Sequence, residues 1–67
     1  MNKPKLTIII PAYNEINTIQ ELIDKIWNLK IDKQIICIDD NSKDGTKEVI
    51  KKNSNKLDKI IIHDENR

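Results

Sequence analysis

The sequence predicts an α/β fold, a three-stranded parallel sheet of order 3-2-1 joined as β-α-β-α-β. Three observations carry this. Three short β-branched runs divide the chain, ending at Pro11, at Asp39-Asp40-Asn41 and at His63-Asp64. The segments between them place apolar residues at helical spacing. Each of those segments is also long enough to return the chain parallel to itself.

The first run, Leu6-Thr7-Ile8-Ile9-Ile10, is nearly continuous, the pattern of a strand covered on both faces. Pro11 has no N–H to donate and holds Ile10 extended, so the strand is expected to stop there. Ile16, Ile19, Leu22, Ile23, Ile26 and Trp27 then form one helical stripe. Asn17, Gln20, Glu21, Asp24, Lys25 and Asn28 take the opposite face, with Asn14 the expected N-cap. The second strand covers Gln34 to Ile38. Cys37 within it reads as an inert small hydrophobe.

Thr46, Val49 and Ile50 mark a shorter second helix. Ser42 is its expected cap, and Lys51 and Lys52 suit the negative end of its dipole. A polar connection, Asn53 to Lys56, leads to the third strand, Lys59 to Ile62, and to His63, read as a solvated loop residue. Repeats, linkers and low-complexity tracts are absent from the sequence.

Composition narrows the function. A chain of 67 residues buries only ~60% of the surface its unfolded form exposes, so the core is thin. Residues 1–67 are expected to be the front of a larger domain, with strand 1 facing a strand outside the sequence and no independent activity. One glycine cannot build a G-x-G-x-x-G or G-x-x-x-x-G-K-[ST] loop. One cysteine and one histidine exclude an intrachain disulfide and a Cys/His zinc cluster. Twelve basic against eleven acidic residues give +1, a balance that favours neither nucleic acid nor an anionic membrane. The longest purely apolar run, Ile35 to Ile38, is too short for a signal peptide or a transmembrane segment. The expected location is the cytoplasm, at the cytoplasmic face of a membrane for the complete protein.

Ligands of open parallel sheets bind beyond the carboxyl ends of the strands. Two segments lie there, Pro11-Ala12-Tyr13-Asn14-Glu15 and Asp39-Asp40-Asn41-Ser42-Lys43-Asp44-Gly45-Thr46. Their side chains suit a nucleoside. A carboxylate accepts from the imide N–H of uracil or from N1–H and N2–H of guanine. A tyrosine covers a base or ribose face, and a second carboxylate accepts from ribose hydroxyls. The bland alternatives are an acidic pair that only caps a turn, and a Glu15 that only favours the helix dipole.

The stretches I-I-I-P-A-Y-N-E at 8–15 and I-D-D-N-S-K-D-G-T at 38–46 resemble the opening of family-2 glycosyltransferases. They are most similar to polyprenol-phosphate (dolichol-phosphate) mannosyl- and glucosyltransferases. The resemblance covers essentially the whole chain. It implies that residues 1–67 are the partial nucleotide-sugar-binding domain of a GT-A, Rossmann-like fold. It also implies a GDP- or UDP-linked sugar donor, a polyprenyl-phosphate acceptor, and Mg2+ or Mn2+ in the complete enzyme.

Carried over by position, Pro11, Tyr13 and Glu15 match residues lining the nucleoside pocket, and Ile38 and Asp40 match those contacting the base. Asp39 matches an acidic position that shapes the pocket, and Gly45 a turn glycine whose expected role is steric. Asn41 stands where relatives often carry glycine, and asparagine tolerates the left-handed conformation. Two departures matter. No two aspartates stand at i, i+2, so the family's metal-binding Asp-x-Asp has no match, and neither has its catalytic carboxylate. The chain is therefore expected to bind no metal through its own residues and to transfer no sugar alone. A second reading, a receiver-like signalling module, also uses an acidic pair at a strand end. There the pair follows the first strand, whereas here it follows the second.

Overall fold

A computed structural model describes residues 6–63. The elements run β1 (Leu6–Ala12), α1 (Ile19–Trp27), β2 (Lys33–Asp39), α2 (Thr46–Lys52), a 3-10 turn (Ser54–Lys56) and β3 (Lys59–Ile62). All three strands are parallel in the order β1-β2-β3, which is the expected 3-2-1 read from the other edge. β2 is central. Its residues Ile35 and Cys37 are buried with Ile10 and Ala12 of β1, Ile19 and Ile23 of α1, Ile50 of α2 and Leu57.

β1 does not stop at Ile10. It continues through Pro11, paired with Ile38, to Ala12, paired with Asp39. The Ala12 carbonyl accepts the Asp40 N–H at 2.9 Å, so Ala12 turns its polar groups toward β2. Pro11, one residue earlier, therefore turns its donorless nitrogen to the open edge, where no ladder bond is lost.

The expectation that both sheet faces are covered also fails. Both helices pack on one side, α1 against α2, and the cluster they bury lies between them and the sheet. On the opposite face Ile9 is 57% exposed, and Ile36, Ile38 and Ile61 are only half-buried. Continuous β-branched runs therefore mark strand here without marking two-sided burial among the described residues.

The α1 stripe is narrower than its spacing suggests. Ile19 and Ile23 are buried and Ile26 packs against the core, while Ile16, Leu22 and Trp27 are exposed. Lys33 Nζ lies 5.8 Å from the centre of the Trp27 ring, in cation–π range. A polar clasp joins α1 to the far end of α2. Gln20 and Asn53 exchange amide hydrogen bonds of 3.0 and 2.8 Å, and Lys56 Nζ donates to Asp24 Oδ1 at 2.8 Å. That lysine hydrogen bond, with one from Gln20, holds the Asp24 carboxyl below its ordinary range.

Two expected outcomes follow from burial. Ile50→Ala, at a fully buried position, should cost about 2–5 kcal/mol in urea denaturation, whereas Ile9→Thr on the open face should leave the midpoint nearly unchanged. Desolvation, then the nearby Asp39 charge, raises the Cys37 thiol to about 11. Iodoacetamide should therefore alkylate it at neutral pH only when the chain unfolds, as mass spectrometry would record.

Candidate functional site

The β1–α1 and β2–α2 loops meet at the carboxyl edge of the sheet, bound to each other by side chains. Three consecutive backbone N–H groups of the first loop donate into the second. Asn14 donates to Ser42 Oγ at 2.9 Å, Glu15 to Thr46 Oγ1 at 2.8 Å, and Ile16 to Asp44 Oδ2 at 3.2 Å. In return the Lys43 N–H donates to Asn14 Oδ1 at 2.8 Å.

Each hydroxyl is itself oriented by a carboxylate. Ser42 Oγ donates to Asp39 Oδ1, and the Ser42 N–H donates to Asp39 Oδ2 at 2.9 Å. Thr46 Oγ1 donates to Asp44 Oδ1, which also accepts the Thr46 N–H at 3.1 Å. The result is two carboxylate–hydroxyl–amide relays side by side. A hydroxyl can donate once and accept as well, which is why serine and threonine occupy the middle positions.

These bonds revise the expected caps. Asn14 adopts φ 51° and its side chain reaches the second loop, so it caps nothing in α1, which begins five residues later, at Ile19. Ser42 is occupied by Asp39 and Asn14, and the residue before α2 is Gly45. Gly45 has φ 99°, a left-handed conformation that L side chains rarely adopt. An added Cβ would meet Ile16 Cδ1 at 3.4 Å, an ordinary contact. Its requirement is therefore conformational and not the steric one expected. Asn41 takes φ 61°, consistent with asparagine standing at a glycine-like position.

Alternation along β2 separates the acidic pair. Asp39 points to the helix side and is fully buried, its carboxylate spent on Ser42. Asp40, one residue on, faces the other way and its side chain is 58% exposed. There it borders an open depression of about 470 Å³, lined by Pro11, Ala12, Tyr13, Glu15, Ile38, Asp40 and His63. All five residues singled out from the sequence, Pro11, Tyr13, Glu15, Ile38 and Asp40, thus stand around one depression. Pro11 and Ile38 are register partners on adjacent strands, and Tyr13 is 49% exposed at the rim.

Sequence reasoning missed two lining residues and three scaffold residues. His63, directly after β3 and so expected at the same edge, reads from the sequence as a solvated loop residue, whereas the structure makes it part of the lining. Ala12 lay unremarked between two marked neighbours. From the sequence Ser42 reads as a helix cap, Thr46 as a helix residue and Asp44 as a turn residue, and none of them as a support of the first loop. Among the described residues no group of three or more His, Cys, Asp or Glu could hold a metal ion, and no helix is long and apolar enough to cross a membrane.

Comparison with known proteins gives one answer. The sequence profile of glycosyl transferase family 2 matches residues 7–67. The poly(ribitol-phosphate) beta-glucosyltransferase of Bacillus spizizenii is 33% identical over 61 residues, spanning 87% of this chain and 10% of its own length. Glycosyltransferase AglE of Haloferax volcanii is 34% identical over 67 residues, spanning 92% of this chain and 22% of its own. The chain thus spans under a quarter of the length of these two relatives. Among solved structures, the mannosyltransferase PcManGT of Pyrobaculum calidifontis, in complex with GDP-Man and Mn2+, superposes with a TM-score of 0.82 at 26% identity. That match covers 100% of this chain and 21% of the other.

The relay through Asp44 makes the loop junction acid-sensitive. Hydrogen bonding from Thr46 holds the Asp44 carboxyl below its ordinary value of 3.8. A lowered folded-state value means that Asp44 stabilises the fold above pH 3.8 and loses that contribution as pH falls through the lower folded value. The stability difference between the parent chain and Asp44→Asn should therefore be constant above pH ~5 and shrink below it, measured by urea denaturation across pH. Thr46→Val, which strands the Glu15 N–H, should cost about 1–3 kcal/mol at neutral pH.

Proposed function

The chain belongs to glycosyl transferase family 2, and from that premise we propose that its depression receives the nucleoside of a GDP- or UDP-linked sugar donor. The supporting observation is that Tyr13 and Glu15 from one loop and Asp40 from the next line the same depression. In this reading Asp40 accepts base N–H groups, Tyr13 covers a base or ribose face, and Glu15 accepts from ribose hydroxyls. Pro11 and Ile38 give the base an apolar wall. A mostly apolar cleft with a few convergent polar groups is the usual form of a small-molecule site.

The metal that accompanies the donor in the neighbouring mannosyltransferase finds no group of three or more His, Cys, Asp or Glu among the described residues that could hold it. Asp39, the nearest spare carboxylate in sequence, is buried and engaged by Ser42. The proposed contribution of these residues is therefore nucleoside recognition, with pyrophosphate, metal and sugar transfer assigned to groups beyond those described. The polyprenyl-phosphate acceptor rests on the resemblance of the motifs alone.

Calorimetric titration with GDP and UDP tests the reading. Asp40→Ala removes a charged acceptor and should weaken binding roughly tenfold or more, and Tyr13→Ala, which removes a stacking face, about tenfold. Affinity unchanged by Asp40→Ala would exclude the assignment.

A further inference from the structure

We propose that His63 makes nucleobase binding pH-dependent by competing with the base for the Asp40 carboxylate, an inference that rests on the nucleoside reading above. His63 Nδ1 lies 4.0 Å from Asp40 Oδ1, and both side chains border the depression, 42% and 58% exposed. The placement is built into the backbone. The His63 N–H donates to the Asp39 carbonyl at 2.8 Å, extending the β2–β3 ladder one residue past Ile62. The imidazole is thereby held beside the residue that follows Asp39.

The charged and titratable groups at the same edge of the sheet as His63 come from three elements. The first loop contributes Tyr13 and Glu15 to the lining. The end of β2 contributes Asp40, and Asp39 with its carboxylate bonded to Ser42. From α2, Lys47 Nζ is held by Asn41 Oδ1 at 2.9 Å. Among these, Asp40 is the acidic group at ion-pair range of the imidazole.

A histidine side chain ordinarily changes charge between pH 5 and 8. With a neutral imidazole, the Asp40 carboxylate is available to N–H donors of a base. A protonated imidazole is a cation facing that carboxylate, and a base must displace or share the pair. Proton and nucleobase thus oppose each other, and by linkage base binding weakens as pH falls. Exposed ion pairs are modest, so the expected change is about two- to fivefold in affinity.

The test uses the 67-residue chain labelled with 15N and titrated with uridine and with guanosine at pH 5.5 and 7.5. Nucleosides carry no phosphate to titrate in that interval. The parent chain should bind about two- to fivefold more weakly at pH 5.5, and His63→Gln should bind equally at both values. His63→Asn serves as a second neutral variant, and ligand-free spectra report whether each variant keeps the fold. Parent binding that is flat with pH, or a pH dependence that survives in both variants, overturns the inference and leaves the nucleoside reading standing. Absence of binding by the folded parent at both pH values removes the nucleoside reading and this inference with it.

Discussion

Everything at the carboxyl edge depends on three backbone amides finding acceptors. The chain leaves β1 for α1 through Asn14, Glu15 and Ile16, whose N–H groups no helix or strand satisfies. Ser42, Thr46 and Asp44 accept them, and Asp39 and Asp44 aim the two hydroxyls that do so. Each bond contributes about 1 kcal/mol net, yet leaving any buried partner unmet costs more than the bond supplies. The two loops are consequently joined into one rim. The exposed side chains Tyr13, Glu15 and Asp40 are carried by that rim, and the Glu15 carboxylate also accepts the Thr18 hydroxyl at 3.1 Å.

Much of the fold was legible because isoleucine-rich runs and helical spacing are strong local signals. β3 was read to the residue, and α2 and the central strand nearly so. What escaped has a common cause. Pro11 as a strand residue depends on which side of β1 lacks a neighbour, and the exposure of Leu22 and Trp27 depends on what covers α1. Neither is encoded in the local pattern. The caps were misread for a related reason: Asn14 and Ser42 have the right chemistry for a helix start, but long-range partners claim them first.

The site was legible in its exposed members and opaque in its supports. Pro11, Tyr13, Glu15, Ile38 and Asp40 could be named because their motifs are distinctive and because open sheets carry ligands at that edge. The support given by Ser42, Asp44 and Thr46 could not, since short polar residues in a turn look alike before their partners are known. His63 shows the same limit from another side. A lone histidine after a strand carries no sign of what it faces until the third strand is laid beside the second.

Adjacent aspartates at the end of β2, the last residue of the strand and the one after it, meet opposite environments, one sealed under a serine and one open to solvent. The assignment is a matter of counting, odd or even, from the start of β2. Deleting a single residue upstream in that strand would exchange the two, sending the scaffold acid outward and the solvent-facing acid into the interior. Length changes in β2 therefore act as a toggle with no intermediate setting.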